Sequence, residues 1–178
     1  CPPHFMLNVT LNRDKAITRV FAGDLTEAHR QGCEHELEHA MVRASQRFDV
    51  VITGNSGYPL DQNLYQAVKG MSAAHKIVKR GGTILMACEC SDGIPDHGKF
   101  AEILAMADSP QALLEMIEDP EFAMLDQWQV QKQAVIQSWA DVMLYSTLSD
   151  AQARAALLGP VHDIAETLQA LKARYGEE

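Results

Sequence analysis

Aromatic side chains, positive charge and long apolar runs are all scarce in this 178-residue chain. Phe, Tyr and Trp together make up 6% of it, too little for the stacked platforms that hold single-stranded nucleic acid. Lys and Arg number 15 against 24 Asp and Glu, a net charge of −9. A nucleic acid would therefore meet repulsion instead of a basic stripe. No apolar run approaches the roughly 20 residues that span a bilayer, and no signal-peptide pattern opens the chain. The four cysteines, Cys1, Cys33, Cys88 and Cys90, make no disulfide framework at this length, which points to a reducing compartment, the cytoplasm. No G-x-G-x-x-G follows a strand, and no G-x-x-x-x-G-K-[ST] occurs, so a self-contained dinucleotide or nucleoside-triphosphate site is not expected. Serine lies in no G-x-S-x-G context, which removes the esterase elbow.

What is present is ordinary in bulk: 47% hydrophobic and 22% charged residues, enough for a sizeable core in one domain spanning residues 1–178. The chain starts at Cys1 instead of Met, and Pro2-Pro3 reads as the end of a linker. The expectation is a piece of a longer protein.

The pattern predicts two strands, Phe5 to Leu11 and Ala16 to Phe21, forming a hairpin around Asn12-Arg13-Asp14-Lys15. Asp24 then caps a helix from about Leu25 to Ser45, with Cys33, Leu37, Ala40, Met41 and Ala44 as its buried stripe. Phe48 to Thr53 is a buried strand. Gly54 to Gly57 break it, Pro59 keeps Tyr58 out of the helical region, and Asp61 caps a helix running to about Lys79. Gly81-Gly82 stops that helix before the strand Thr83 to Cys88. This strand–loop–helix–strand order is a right-handed βαβ unit, whose site is expected beyond the carboxyl ends of the strands, at Gly54 to Leu60 and Glu89 to His97. Helical patterns follow over Gly98 to Ala107, Pro110 to Ile117 (capped by Ser109) and Gln127 to Trp139. A strand at Val142 to Tyr145, a short helix capped by Ser149 or Asp150 and interrupted at Gly159-Pro160, and a last helix from Asp163 to Tyr175 complete the chain. The fold class is α/β: three layers, a mainly parallel sheet flanked by helices, with an N-terminal β-hairpin.

Several residues invite chemistry. His35-Glu36-Leu37-Glu38-His39 matches H-E-x-x-H, the zinc-peptidase pattern in which two histidines one turn apart hold the metal. However, Leu37 is central to the apolar stripe, so both histidines lie roughly 160° round the helix, toward solvent. Glu38 adds charge there, and no third ligand stands out. A zinc hydrolase is thus the weakest reading, and a solvated acidic face the plain one. Cys88-Glu89-Cys90 ends a strand, and the expectation is one thiol buried and the other turned to the opposite face. On the helix after Pro59, Leu64, Ala67, Val68, Met71, Ala74 and Val78 form one face. Gln62, Gln66, Lys69 and Ala73 lie opposite, either solvated or meeting a domain or ligand. An amide and a cation one turn apart suit a carboxylate or phosphate. Trp128 starts a helix among amides, where its indole suits either packing or a heteroaromatic ligand.

The run Gly57-Tyr58-Pro59-Leu60-Asp61-Gln62-Asn63-Leu64-Tyr65-Gln66-Ala67-Val68-Lys69-Gly70 resembles the signature of the nickel-dependent lactate racemase family, in its carboxyl-terminal domain. Supporting runs appear in the same order along nearly the whole chain: Leu11 to Lys15, Phe21 to Asp24, Glu89 to Gly93, and Asp126 to Gln129. The resemblance implies a two-domain enzyme with its site in the cleft between the domains. It also implies a nickel-pincer nucleotide tethered to a lysine, and inversion of a 2-hydroxy acid by hydride transfer. The tethering lysine, the nickel-binding histidine and the acid/base histidines would belong to an amino-terminal domain that this sequence lacks. By motif match, Gln66 and Lys69 would contact substrate carboxylate or cofactor, and Trp128 would pack against the cofactor region. No catalytic or metal-binding residue is assigned to this chain by itself, which is expected to be silent alone. A homologue acting on a different 2-hydroxy acid is the alternative.

Overall fold

The computed structural model describes residues 3–176; the linker-like start at Cys1-Pro2 lies outside them. The chain divides into two compact units, Cys1–Ser45 and Gln46–Glu178.

In the first unit, β1 (Met6–Leu11) and β2 (Ile17–Gly23) pair antiparallel, the expected hairpin. Asp24 caps α1 (Leu25–His39) by accepting from the backbone N–H groups of Thr26 and Glu27. The helix ends at His39, six residues before the expected Ser45. Its predicted stripe is a correction as well. Leu37 is 63% exposed, Met41 51%, and Cys33 also faces out. The packed side is instead Ala28, Gly32 and His35. The Phe21 ring lies 3.6 Å from where a Cβ on Gly32 would be, and 5.6 Å from the His35 ring, centroid to centroid. A Cβ at residue 32 would sit in ordinary van der Waals contact with that ring, so this is the face by which the helix rests on the hairpin. Among the described residues of this unit nothing covers the larger apolar side chains, and propensity alone does not carry the helix further.

The second unit is α/β. Its strands β3 (Phe48–Gly54), β4 (Val78–Ala87), β5 (Asp141–Tyr145) and β6 (Gly159–Val161) form one parallel sheet in the order β3-β4-β5-β6. Sequential order with right-handed crossovers puts the connecting helices on one face. Accordingly α2 (Leu64–His75) and α5 (Gln127–Trp139) pack together over Val51, Ile84, Met86, Val142 and Leu144, with the short α3 (Phe100–Leu104) and α4 (Pro110–Glu118) against α5. The alternate residues point the other way, where α7 (Ile164–Tyr175) lies. There the Tyr175 hydroxyl meets Thr83 Oγ1 and donates to the Gly81 carbonyl, both at 3.0 Å. Three layers result. Gly159-Pro160, expected only to interrupt a helix, forms β6 after the short α6 (Asp150–Ala155).

Gly81-Gly82 does not stop α2 at Lys79, as expected. The helix ends at His75, and the glycines lie inside β4. Partners step from Phe48–Val78 to Val50–Thr83, so β4 carries a bulge between them. Gly81 takes φ 74°, and a Cβ on Gly82 would come within 2.6 Å of the Asp49 carbonyl oxygen. Glycine here extends the strand instead of ending the helix.

The seat of α2 depends on another glycine. A Cβ on Gly70 would meet the Gly54 carbonyl oxygen at 2.5 Å and Met86 Cε at 2.9 Å. Helix propensity alone would favour Ala by about 1 kcal/mol, whereas forced overpacking costs about 1–3 kcal/mol. With backbone as the obstacle, the clash wins. Gly70→Ala is therefore expected to lower the urea midpoint of unfolding with the slope unchanged; a raised midpoint would refute this account of the packing.

Candidate functional site

Burying Leu64, Ala67, Val68, Met71 and Ala74 of α2, each 2% exposed or less, fixes what its other side presents. Gln66 is half-buried and Lys69 exposed. The Lys69 ammonium donates to Gln66 Oε1 at 2.6 Å, so the pair forms one unit with the amide NH2 left over. The start of α2 is set by Asn63, which is 5% exposed and whose side chain accepts from the Gln66 N–H at 3.1 Å. This corrects the expected cap, Asp61. That carboxylate instead turns toward the loop after β4, where Oδ2 accepts from the Glu89 N–H at 3.4 Å and Oδ1 is buried without a partner. Asn55, in the loop after β3, donates to the carbonyls of Leu60 and Gln66, tying that loop to the helix.

Trp128 sits in the first turn of α5 and is 48% exposed. It reaches α2 through Tyr65, whose ring it meets edge-on at 5.9 Å. Tyr65 in turn packs edge-on against Phe100 at 5.4 Å, and its carbonyl accepts from Gln129 Nε2 at 2.5 Å. Burial, and then the Asp126 carboxylate, push the Tyr65 hydroxyl above its usual pKa. It stays a neutral donor. Asp126 takes φ 69° and accepts from the Lys99 N–H at 3.1 Å, which secures the approach to α5. Thus Gln66 and Lys69 are in contact, and Trp128 touches the residue immediately before Gln66. Motif matching did not name two further groups on this wall. Tyr65 shares a helix face with Lys69 by i,i+4 spacing. The ammonium of Lys132 lies 5.2 Å from the Trp128 ring centroid, also one turn on, a spacing visible in the sequence.

The wall is an open surface. The cavities of about 390, 520 and 550 Å³ lie elsewhere: between the hairpin and α1, between β3 and α7, and around Trp139. His35 and His39 stack with ring centroids 4.0 Å apart, and His39 Nδ1 lies 2.8 Å from the His35 carbonyl of its own helix. Among the described residues, no group of three or more His, Cys, Asp or Glu is placed to hold a metal ion, and no helix is long and apolar enough to cross a membrane.

The family profile described as the lactate racemase C-terminal domain matches residues 43–178. The chain belongs to that family. Lactate racemase from Lactiplantibacillus plantarum is 40% identical over 178 residues, covering 98% of this chain and 41% of that protein. Lactate racemase from Thermoanaerobacterium thermosaccharolyticum is 36% identical over 168 residues, covering 93% and 39%. The solved apoprotein of lactate racemase from the latter organism superposes with a TM-score of 0.86 at 34% identity, over 98% of this chain and 42% of that one. A Thermotoga maritima protein with a TM-score of 0.60 at 12% identity shares the fold. The chain spans about two fifths of the length of the lactate racemases it matches. The lactate racemase C-terminal match starts at residue 43, beside the start of the second unit at Gln46.

Replacing a capping Asn with Ala typically costs about 1 kcal/mol. Asn63→Ala should destabilise the second unit by about that amount and raise amide exchange over the first turn of α2; unaltered exchange at Gln66 would contradict the capping role.

Proposed function

We propose that this chain is the cleft-closing C-terminal portion of a racemase that inverts a 2-hydroxy acid such as lactate. Its partner is an N-terminal domain of the same protein, which carries the nickel-pincer nucleotide. Family membership and the greater length of the matched racemases support this division. One observation carries it: Lys69 held by Gln66 on the face of α2 turned away from the core, with Trp128 joined to the same helix through Tyr65.

The donor set fits the organic part of such a cofactor and its substrate. An ammonium and an amide suit a carboxylate or phosphate, and a half-exposed indole suits a flat heteroaromatic ring. Nothing on this wall is a thiolate or imidazole, so the metal's ligands, the tethering lysine and the acid/base histidines are assigned to the N-terminal domain. When bound, the cofactor supplies the electron sink that a hydroxy-acid carbon needs to release its hydrogen with the bonding pair. Lys69 neutralises and orients the substrate carboxylate without entering the redox step. Gln66 holds the ammonium in place and offers its amide N–H groups to the same anion. Trp128 and Tyr65 close the wall and exclude water from the cleft. Alone, the chain lacks the reacting groups and is silent. Its free thiols support a reducing compartment, the cytoplasm.

In the complete protein, Lys69→Ala removes a charge-assisted hydrogen bond to substrate. The expected loss is about 10²-fold in kcat/KM for D/L-lactate interconversion, equivalent to about 2.7 kcal/mol, with the circular dichroism spectrum unchanged. Full activity in a folded variant would reject the assignment. If wild-type protein inverts malate but not lactate, the fault lies in the substrate and not in the role of Lys69.

A further inference from the structure

The loop after β4 holds two thiols that this reading does not use. Cys88 and Cys90, expected on opposite faces, lie together: residues two apart along a strand share a face, and the chain then closes the distance between them. Cys90 takes φ 54°, a left-handed conformation that non-glycine residues adopt only at a cost, and this turns its side chain back toward Cys88. The two sulfurs lie 3.5 Å apart, with Cys88 4% and Cys90 1% exposed. The Cys90 thiol donates to Cys88 Sγ, and the Cys88 thiol donates to the Asp61 carbonyl at 3.1 Å. Simple packing of two small side chains does not require a left-handed residue.

The surroundings pin both ends of the pair. The Cys88 N–H donates to the Tyr145 carbonyl at 3.0 Å, and Thr147 Oγ1 donates to the carbonyls of Glu89 and Cys90. The same loop is laced to the approach of α2. The Cys90 N–H donates to the Asp61 carbonyl, the Asp92 N–H to that of Gln62, and the Leu64 N–H to that of Gly93, at 2.9, 2.7 and 3.1 Å. A change at the sulfurs is therefore transmitted to the segment that leads into Gln66 and Lys69.

We propose that Cys88 and Cys90 are an oxidisable dithiol that closes to an intraloop disulfide under a hydroperoxide, loosening the start of α2. The hydrogen bond from Cys90 holds the Cys88 thiol below its usual pKa, while that donation and burial raise Cys90. Cys88 is thus the attacking sulfur. Its thiolate takes the terminal oxygen of hydrogen peroxide, the O–O bond breaks, and the released hydroxide leaves as water with the thiol proton. The Cys90 sulfur then attacks the resulting sulfenic sulfur and expels hydroxide, which leaves as a second water with the Cys90 proton. Two thiols and one peroxide become one disulfide and two waters. Closure draws the sulfurs from 3.5 Å to about 2.05 Å and removes the Cys88 donor from the Asp61 carbonyl.

The test uses the complete, folded protein treated with hydrogen peroxide, then denatured, alkylated and digested with trypsin. The readout is covalent and independent of any racemase activity. The peptide carrying both cysteines should lose two hydrogens and take up no alkylating agent. Dithiothreitol should reverse this, and Cys88→Ala should abolish it. Amide exchange over residues 61–66 should rise in the oxidised form and recover on reduction. Exposed Cys33 is the internal measure of dose. If Cys33 is oxidised while Cys88 and Cys90 still alkylate, the dithiol reading is overturned. If the disulfide forms and exchange over 61–66 does not move, the coupling to α2 is overturned.

Discussion

The second unit depends on how closely α2 can approach the end of β3. A single Cβ at residue 70 would stand 2.5 Å from the Gly54 carbonyl oxygen, so the helix reaches its place only because that atom is missing. Once there, its rotation is no longer free. Leu64, Ala67, Val68, Met71 and Ala74 must enter the core, and the 3.6-residue period then obliges Gln66 and Lys69 to face away from it. The polar pair is a geometric by-product of burial, held in one arrangement by its own hydrogen bond. The same seat makes α2 a neighbour of α5, which carries Trp128.

Loops on three sides hold this arrangement without supplying the groups that form the wall. Asn55 reaches from the loop after β3, Asn63 closes the first turn, and the loop after β4 donates the Cys90 and Asp92 N–H groups to residues preceding the helix and accepts from the Leu64 N–H. Asp61 stands at their junction with one carboxylate oxygen buried and unpartnered. Strain and unmet polarity thus collect around the start of α2, the kind of place where function tends to reside.

The sequence was most legible where the pattern was long or the punctuation unambiguous. The hairpin, the core face of α2, the extent of α5 and the Ser109 cap all follow from period and capping chemistry. It misled where one residue type has two uses. Gly81-Gly82 reads as a helix stop, but β4 uses the pair as a bulge against Asp49. Leu37 and Met41 look like a core stripe, yet α1 packs by Ala28, Gly32 and His35, the last two against the Phe21 ring. Cys88 and Cys90, expected on opposite faces, share one, since residues two apart along a strand point the same way, and their sulfurs lie 3.5 Å apart. As for the wall itself, Gln66, Lys69 and Trp128 were named by motif. Their linkage through Tyr65 was not, since it depends on how two helices distant in sequence are stacked.

The parallel sheet has two unlike borders. On one side it stops at β6, three residues long with Pro160 at its centre, a strand too short and too poor in donors to recruit a neighbour. On the other it stops at β3, seven residues long and hydrogen-bonded within the sheet to β4 alone. Phe48 and Ile52 of β3 are 38% and 52% exposed. Unwanted self-association during refolding at high concentration would accordingly begin along β3, and a charged residue in place of Ile52 would be the natural gatekeeper against it.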